Sequence, residues 1–155
     1  MERIASFEVN HDIMTKGMYI SRTDGDIVTY DIRMKVPNGG DYFSTAAGHT
    51  FEHLFATYVR NTSYSENIIY VGPMGCRTGF YFIVRDKINH GQALKLVIDA
   101  FSFIAEFEGK IPGSEKEECG NYLDHSLDGA KDLAKDMIPY LTNWSEEKMV
   151  YGGKL

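Results

Sequence analysis

The segment His49-Thr50-Phe51-Glu52-His53 carries two imidazoles and a carboxylate within five residues. On a helix turning roughly 100° per residue the two histidines sit about 40° apart, with Glu52 flanking them. Phe51, Leu54, Phe55 and Tyr58 centre on the opposite side, the side that seeks a core, while Ala56 shares the histidine face and leaves room above it. Bulk on one side and two imidazoles one turn apart on the other describe half of a metal site. Either histidine alone reads as a surface residue; the pair with an adjacent glutamate favours the metal. A third ligand is then required, and Cys76, Cys119, His125, His11 and the carboxylates all compete for it. Thiolates bind zinc- or iron-type ions more strongly than surface carboxylates do. Cys76 stands in Pro73-Met74-Gly75-Cys76-Arg77-Thr78-Gly79, a glycine-flanked junction that suits a reactive side chain held at a defined spot. Cys119 follows a short polar turn. Each cysteine taken alone reads as a small core residue, and spacing does not choose between them.

The rest of the chain bounds what such a site could serve. At 155 residues and 43% hydrophobic content the sequence predicts one domain, 1–155, with a sizeable core. Its net charge of −6, with no cluster of Lys and Arg, argues against nucleic acid as a partner. The N-terminus Met1-Glu2-Arg3-Ile4-Ala5-Ser6 lacks a basic start and apolar run, and no stretch is long and apolar enough to span a bilayer. A cytoplasmic location is expected, with two free thiols rather than a disulfide.

Elements able to position these residues can be read from periodicity. Residues 17–35 predict a hairpin around Thr23-Asp24-Gly25-Asp26. The loop Pro37–Asp41 leads into a helix from about Phe43 to Asn61, capped by Ser44 or Thr45. A second strand pair, Ile68–Val71 and Thr78–Arg85, flanks the turn Gly72-Pro73-Met74-Gly75. Asn89 caps a helix striped with Ala93, Leu94, Val97, Ile98, Phe101, Ile104 and Ala105 and ended by Gly109. Ser114 and Glu117 have the spacing of a capping box for the turn before Cys119. A last amphipathic helix runs from about Ser126 to near Pro139. The fold class expected is α+β: an antiparallel sheet of about four strands with helices layered against it. Isolated His90 and His125 are expected to cap helices or face solvent, and Tyr140, Trp144 and Met149 to pack the last helix or a dimer contact.

Five motifs in order give the chain a resemblance that covers it nearly end to end. Ser6-Phe7-Glu8-Val9-Asn10-His11, Asp31-Ile32-Arg33, His49–Leu54, Pro73-Met74-Gly75-Cys76 with Thr78-Gly79, and Cys119-Gly120 with His125, Leu127, Gly129 and Ala130 resemble the S-ribosylhomocysteine lyases. These bacterial enzymes make the precursor of autoinducer-2. The resemblance implies that His49, His53 and Cys119 bind one divalent metal per subunit. Iron(II) is the implied native metal, with zinc or cobalt able to substitute. It implies Glu52 and Cys76 as the acid/base pair, Ser6, His11 and Arg33 in the substrate pocket, and a homodimer with active sites at the subunit interface. The sequence departs from the family at Tyr70, where an Asp usually lines the pocket, at Gly72, where Ser is common, and at Lys35, where some relatives have Cys. Tyr70 keeps a hydrogen-bonding phenol at that pocket position but no charge at pH 7.

The implied chemistry suits these residue types. Moving a sugar carbonyl from C1 to C3 passes through enediolates whose negative charge needs a Lewis acid, and the proton moves need two bases. Two rival readings use the same residues. His-x-x-Glu-His is also the inverzincin pattern of metallopeptidases, which calls for a downstream Glu as third ligand. A metal-binding sensor domain without turnover would use the same three ligands.

Overall fold

The structure is a computed structural model that describes residues 1–153. Four strands form one antiparallel sheet in the order β1-β2-β4-β3: β1 Gly17–Asp24, β2 Ile27–Arg33, β3 Ile68–Pro73 and β4 Gly79–Arg85. Side chains alternate across such a sheet. In β2 this sends Val28, Tyr30 and Ile32 to one face and Thr29, Asp31 and Arg33 to the other; the register pairs Ile32 with Phe80 and Asp31 with Tyr81. Helices α2 (Thr45–Val59), α3 (His90–Glu106) and α4 (Leu127–Thr142) cover the first face, after a one-turn α1 at Ala5–Glu8.

The covered face is knitted by aromatic rings. Phe51 and Phe55 of α2 lie 5.0 Å and 5.3 Å, centroid to centroid, from Phe80 and Phe82 of β4, and Phe51 meets Phe101 of α3 at 4.8 Å. All five are fully buried, so truncating one to Ala would cost about 3–5 kcal/mol. Anchoring α2 by this stripe turns His49, Glu52 and His53 away from the sheet. The other sheet face is partly closed by chain segments. Tyr151 stacks on Tyr19 at 5.2 Å, and the Trp144 indole N–H donates to the Met18 carbonyl at 2.6 Å. Trp144 and the fully buried Met149 thus pack the C-terminal segment onto β1, while Tyr140 stays exposed.

Several boundaries differ from those expected. Ser44 is the cap of α2, its Oγ accepting from the Ala47 N–H at 3.1 Å. The Asn89 cap forms with a full capping box to Gln92. α3 stops at Glu106 rather than Gly109, because Phe107 turns extended and packs its ring on Phe103. α4 runs through Pro139 to Thr142. Buried Leu141 holds this last turn to the core, and the Asn143 amide and the Thr142 hydroxyl satisfy the Pro139 and Ile138 carbonyls. The Ser114–Glu117 capping box does not form. Ser114 donates to the Ile111 carbonyl, and Glu118 instead accepts from the Glu115 N–H at 3.1 Å, closing a single turn ahead of Cys119. No helix among the described residues is long and apolar enough to cross a membrane.

Candidate active site

Two groups of polar side chains stand out, one on α2 and the loop before α4, the other on β2 and the turn between β3 and β4. The first gathers His49 and His53 from α2 with Cys119 and His125 from the loop that precedes α4; one ligand-type atom from each lies within 4.8 Å of the other three. The Cys119 sulfur is 3.3 Å from His49 Nε2. Ligands at zinc-type bond lengths in a tetrahedron stand about 3.5 Å apart, so the spacing fits one ion. Each helix histidine is aimed by a main-chain carbonyl: His49 Nδ1 donates to Asp124 at 2.7 Å and His53 Nδ1 to Pro112 at 2.8 Å. With Nδ1 protonated, Nε2 presents its lone pair inward, as a metal ligand must. Their rings stand at 88°, so both lone pairs can converge on a single point. Glu52 Oε2 lies 4.0 Å from His53 Nε2, at the edge of the group.

The loop that delivers Cys119 depends on Gly113, which adopts φ +69° and would put a Cβ 3.2 Å from His53 Nδ1. Only glycine allows both the left-handed backbone and the close approach. His125 is brought into the site rather than to solvent: its Nδ1 lies 2.9 Å from the Thr50 hydroxyl and its Nε2 is buried. Burial first, then the neighbouring His49 and His53, hold its imidazole below the ordinary range, in the neutral form.

The second group lies on the other face of the sheet and at its end. Arg33 grips Asp31 with two bonds, Nη2 to Oδ2 at 2.6 Å and Nε to Oδ1 at 3.1 Å, and both side chains are buried. Tyr151 donates to the same Asp31 Oδ2 at 2.8 Å. Arg33 Nη1 donates to Thr78 Oγ1 at 2.8 Å, and that oxygen is 3.1 Å from the Cys76 sulfur. A hydroxyl that already accepts from a guanidinium keeps its own proton free to offer onward, and the Cys76 sulfur is within reach of it. Burial opposes the charge on Arg33, yet the Asp31 carboxylate, with Cys76 and Tyr151, raises its proton affinity above the usual value. Burial, Asp31 and Cys76 likewise push the Tyr81 phenol up, with Arg33 and Ser6 pulling the other way. The turn that presents exposed Cys76 is pinned by Arg77, a non-glycine residue at φ +59°, whose guanidinium donates to the Phe43 carbonyl at 3.2 Å.

Of the residues expected at a substrate pocket, Arg33 and Ser6 therefore adjoin Cys76 or its neighbour Tyr81. His11 is held locally, its Nδ1 2.8 Å from the Val9 carbonyl. Tyr70 is half-exposed and folds its ring over Gly72, where any Cβ would collide with the phenol. The departures at Tyr70 and Gly72 are therefore one packing event. Sequence reasoning did not find Asp31, Thr78, Tyr81 or Tyr151 as partners of Arg33, nor Thr50 as the partner of His125. The i, i+2 alternation of Asp31 and Arg33 on β2 was the available signal for that pair; Tyr151 had none. A cavity of about 840 Å³ between α1 and residues 144–152 is lined by Asn10, Met14, Tyr19, Ser21 and Tyr151 and by neither cysteine.

The family model for S-ribosylhomocysteinase (LuxS) matches residues 4–148. The chain belongs to the S-ribosylhomocysteinase (LuxS) family. It is 46% identical to an S-ribosylhomocysteine lyase of Clostridium acetobutylicum over 97% of this chain and 99% of that one. It is 41% identical to one of Phocaeicola vulgatus, with 99% of each chain covered, and 42% identical to one of Borrelia garinii, over 97% and 99%.

Proposed function

We propose that this protein cleaves S-ribosyl-L-homocysteine to L-homocysteine and 4,5-dihydroxy-2,3-pentanedione, the autoinducer-2 precursor. The observation that carries the reading is the convergence of His49, His53 and Cys119 on one point in a chain that matches this family over residues 4–148. The third position of the group is a thiol, which the peptidase reading does not call for. The same match supports one domain spanning 1–155.

Two imidazoles and one thiolate leave a dication about one net positive charge; iron(II), or zinc or cobalt in its place, would supply Lewis-acid stabilisation of the enediolates. Everything else falls to the side chains. Glu52 and Cys76 move the protons that carry the sugar carbonyl from C1 to C2 and on to C3, which makes the C4 proton acidic. Loss of that proton expels the C5 sulfur as homocysteine thiolate. Substrate and products then balance with no water consumed and no change of oxidation state. Cys76 works as the thiolate, hydrogen-bonded by the Thr78 hydroxyl that Arg33 orients. Arg33 and Ser6 bound the pocket beside it, with His11 and Tyr70 as further substrate contacts.

The four-residue group holds Cys119 but not Cys76, and a homodimer whose sites lie between subunits would let one copy offer its metal group to the other copy's Cys76. Two free cysteines suit a reducing compartment, and the cytoplasm is the proposed location. Anaerobic incubation with S-ribosylhomocysteine and a thiol reagent tests the whole. Homocysteine should appear with the parent protein and be lost in Cys76→Ala and Glu52→Gln; no release by the parent would sink the assignment.

A further inference from the structure

His125 belongs to the four-residue group by distance, but it is wired differently from the two helix histidines. Their Nδ1 atoms face main-chain carbonyls, which can only accept. His125 Nδ1 instead faces the Thr50 hydroxyl at 2.9 Å, and Thr50 is fully buried. That hydroxyl oxygen already accepts from the Ser126 N–H at 2.9 Å. Among the described residues its only remaining neighbour is His125, so its single proton goes to His125 Nδ1. The reverse arrangement would strand the buried Thr50 O–H whether or not the site is filled, whereas a proton on His125 Nε2 can be satisfied by an occupant of the site. A neutral imidazole that accepts at Nδ1 carries its proton on Nε2, and His125 Nε2 is buried with no partner among the described residues.

Ring geometry says the same thing independently. The His49 and His125 rings are stacked, with centroids 3.9 Å apart and planes 20° from parallel. An imidazole lone pair lies in its ring plane, and these two planes run a van der Waals thickness apart. One ion bonded to both nitrogens at about 2.0–2.1 Å could not lie in both planes. The His49–His53 pair, at 88°, has no such conflict.

We propose that His125 is a hydrogen-bond donor to the site rather than a fourth metal ligand: its Nε2–H points at the oxygen of whatever occupies the remaining position, with Thr50 setting the tautomer. Resting on the lyase reading, that oxygen is during turnover the carbonyl oxygen of the opened sugar, whose charge grows as each enediolate forms. A donor placed where charge develops contributes to rate more than to binding.

Three measurements on the zinc-loaded full-length protein decide it. Nitrogen-15 NMR of the histidine side chains should show protonated Nε2 on His125 and protonated Nδ1 on His49 and His53; zinc on His125 Nε2 would overturn the assignment. His125→Gln should keep one zinc per chain with affinity within about tenfold, whereas loss of zinc binding would mark His125 as a ligand. In the same variant kcat should fall about 100- to 1,000-fold with KM little changed, as for removal of an oxyanion donor. Thr50→Val keeps the shape and removes the directing proton; mixed His125 tautomers and a smaller fall in kcat are expected, with Thr50→Ser restoring both. An unchanged tautomer and rate in Thr50→Val would overturn the role given to Thr50. If the parent protein releases no homocysteine, the lyase reading fails, and the NMR and zinc measurements still judge His125 separately.

Discussion

The His49–His53–Cys119 group and the Cys76 group hold their polar side chains in place by opposite electrostatic means. Around His49 and His53 the orienting partners are neutral carbonyls of the 112–124 loop, with the half-buried Glu52 carboxylate 4.0 Å from His53 at the edge. Around Cys76 the chain buries a full ion pair, Asp31–Arg33, and passes its influence to sulfur through Thr78. In both places a threonine hydroxyl accepts from a fixed donor and adjoins a second group, Thr50 Oγ1 2.9 Å from His125 Nδ1 and Thr78 Oγ1 3.1 Å from the Cys76 sulfur. A group that must bind a cation is best left neutral or anionic and unpaired. One that must hold a thiolate without metal benefits from a cation locked nearby. The loop-built group should therefore break by losing its metal, and the strand-built group by losing stability or rate.

Replacing Cys119 by Ala gives the largest effect expected. It should cut metal affinity by more than the roughly 10–100-fold typical of an orienting partner and abolish turnover, read by metal content and titration. Cys76→Ala should leave metal content intact and lower kcat about 100- to 10,000-fold, as removal of an acid/base group does; loss of metal in this variant would merge the two groups and refute the contrast. Asp31→Asn strands a buried guanidinium and should destabilise the fold by about 3–5 kcal/mol in denaturant unfolding. Metal stoichiometry should not change. Gly113→Ala forces a left-handed backbone and crowds His53, costing about 1–3 kcal/mol. It should also weaken metal binding, because the Pro112 carbonyl must shift. The smallest effect lies at the Tyr70–Gly72 contact. Gly72→Ser should destabilise the chain that has Tyr70 but not a Tyr70→Asp background, with a coupling of about 0.5–1 kcal/mol in a double-mutant cycle.

What could be read from the sequence follows the same division. The histidine face of α2 was legible because 3.6-residue periodicity places His49 and His53 opposite Phe51 and Phe55, and a core fixes that orientation. The four strands were legible from alternation and turn residues. The carbonyls that set the imidazole tautomers were not, since Pro112 and Asp124 act through main chain that any residue would carry. Arg77 at positive φ was also hidden: glycine is the usual signal, and the tether to Phe43 replaces it. The end of α4 was misplaced because a proline near a C-terminus removes only one hydrogen bond, which buried Leu141 outweighs. His125 read both as one of several candidate ligands and as a solvent or capping residue, because nothing local announces a partner 75 positions away.

The hydrogen bond from Tyr151 to Asp31 spans 120 positions. A nascent chain can assemble the sheet and α2 while still being made, but the carboxylate that steadies Arg33 stays open until residues 144–151 have left the ribosome and folded back on β1. The thiol side is thus tied to the docking of residues 144–151 on β1, and a chain lacking them would lose both this hydrogen bond and the buried Met149.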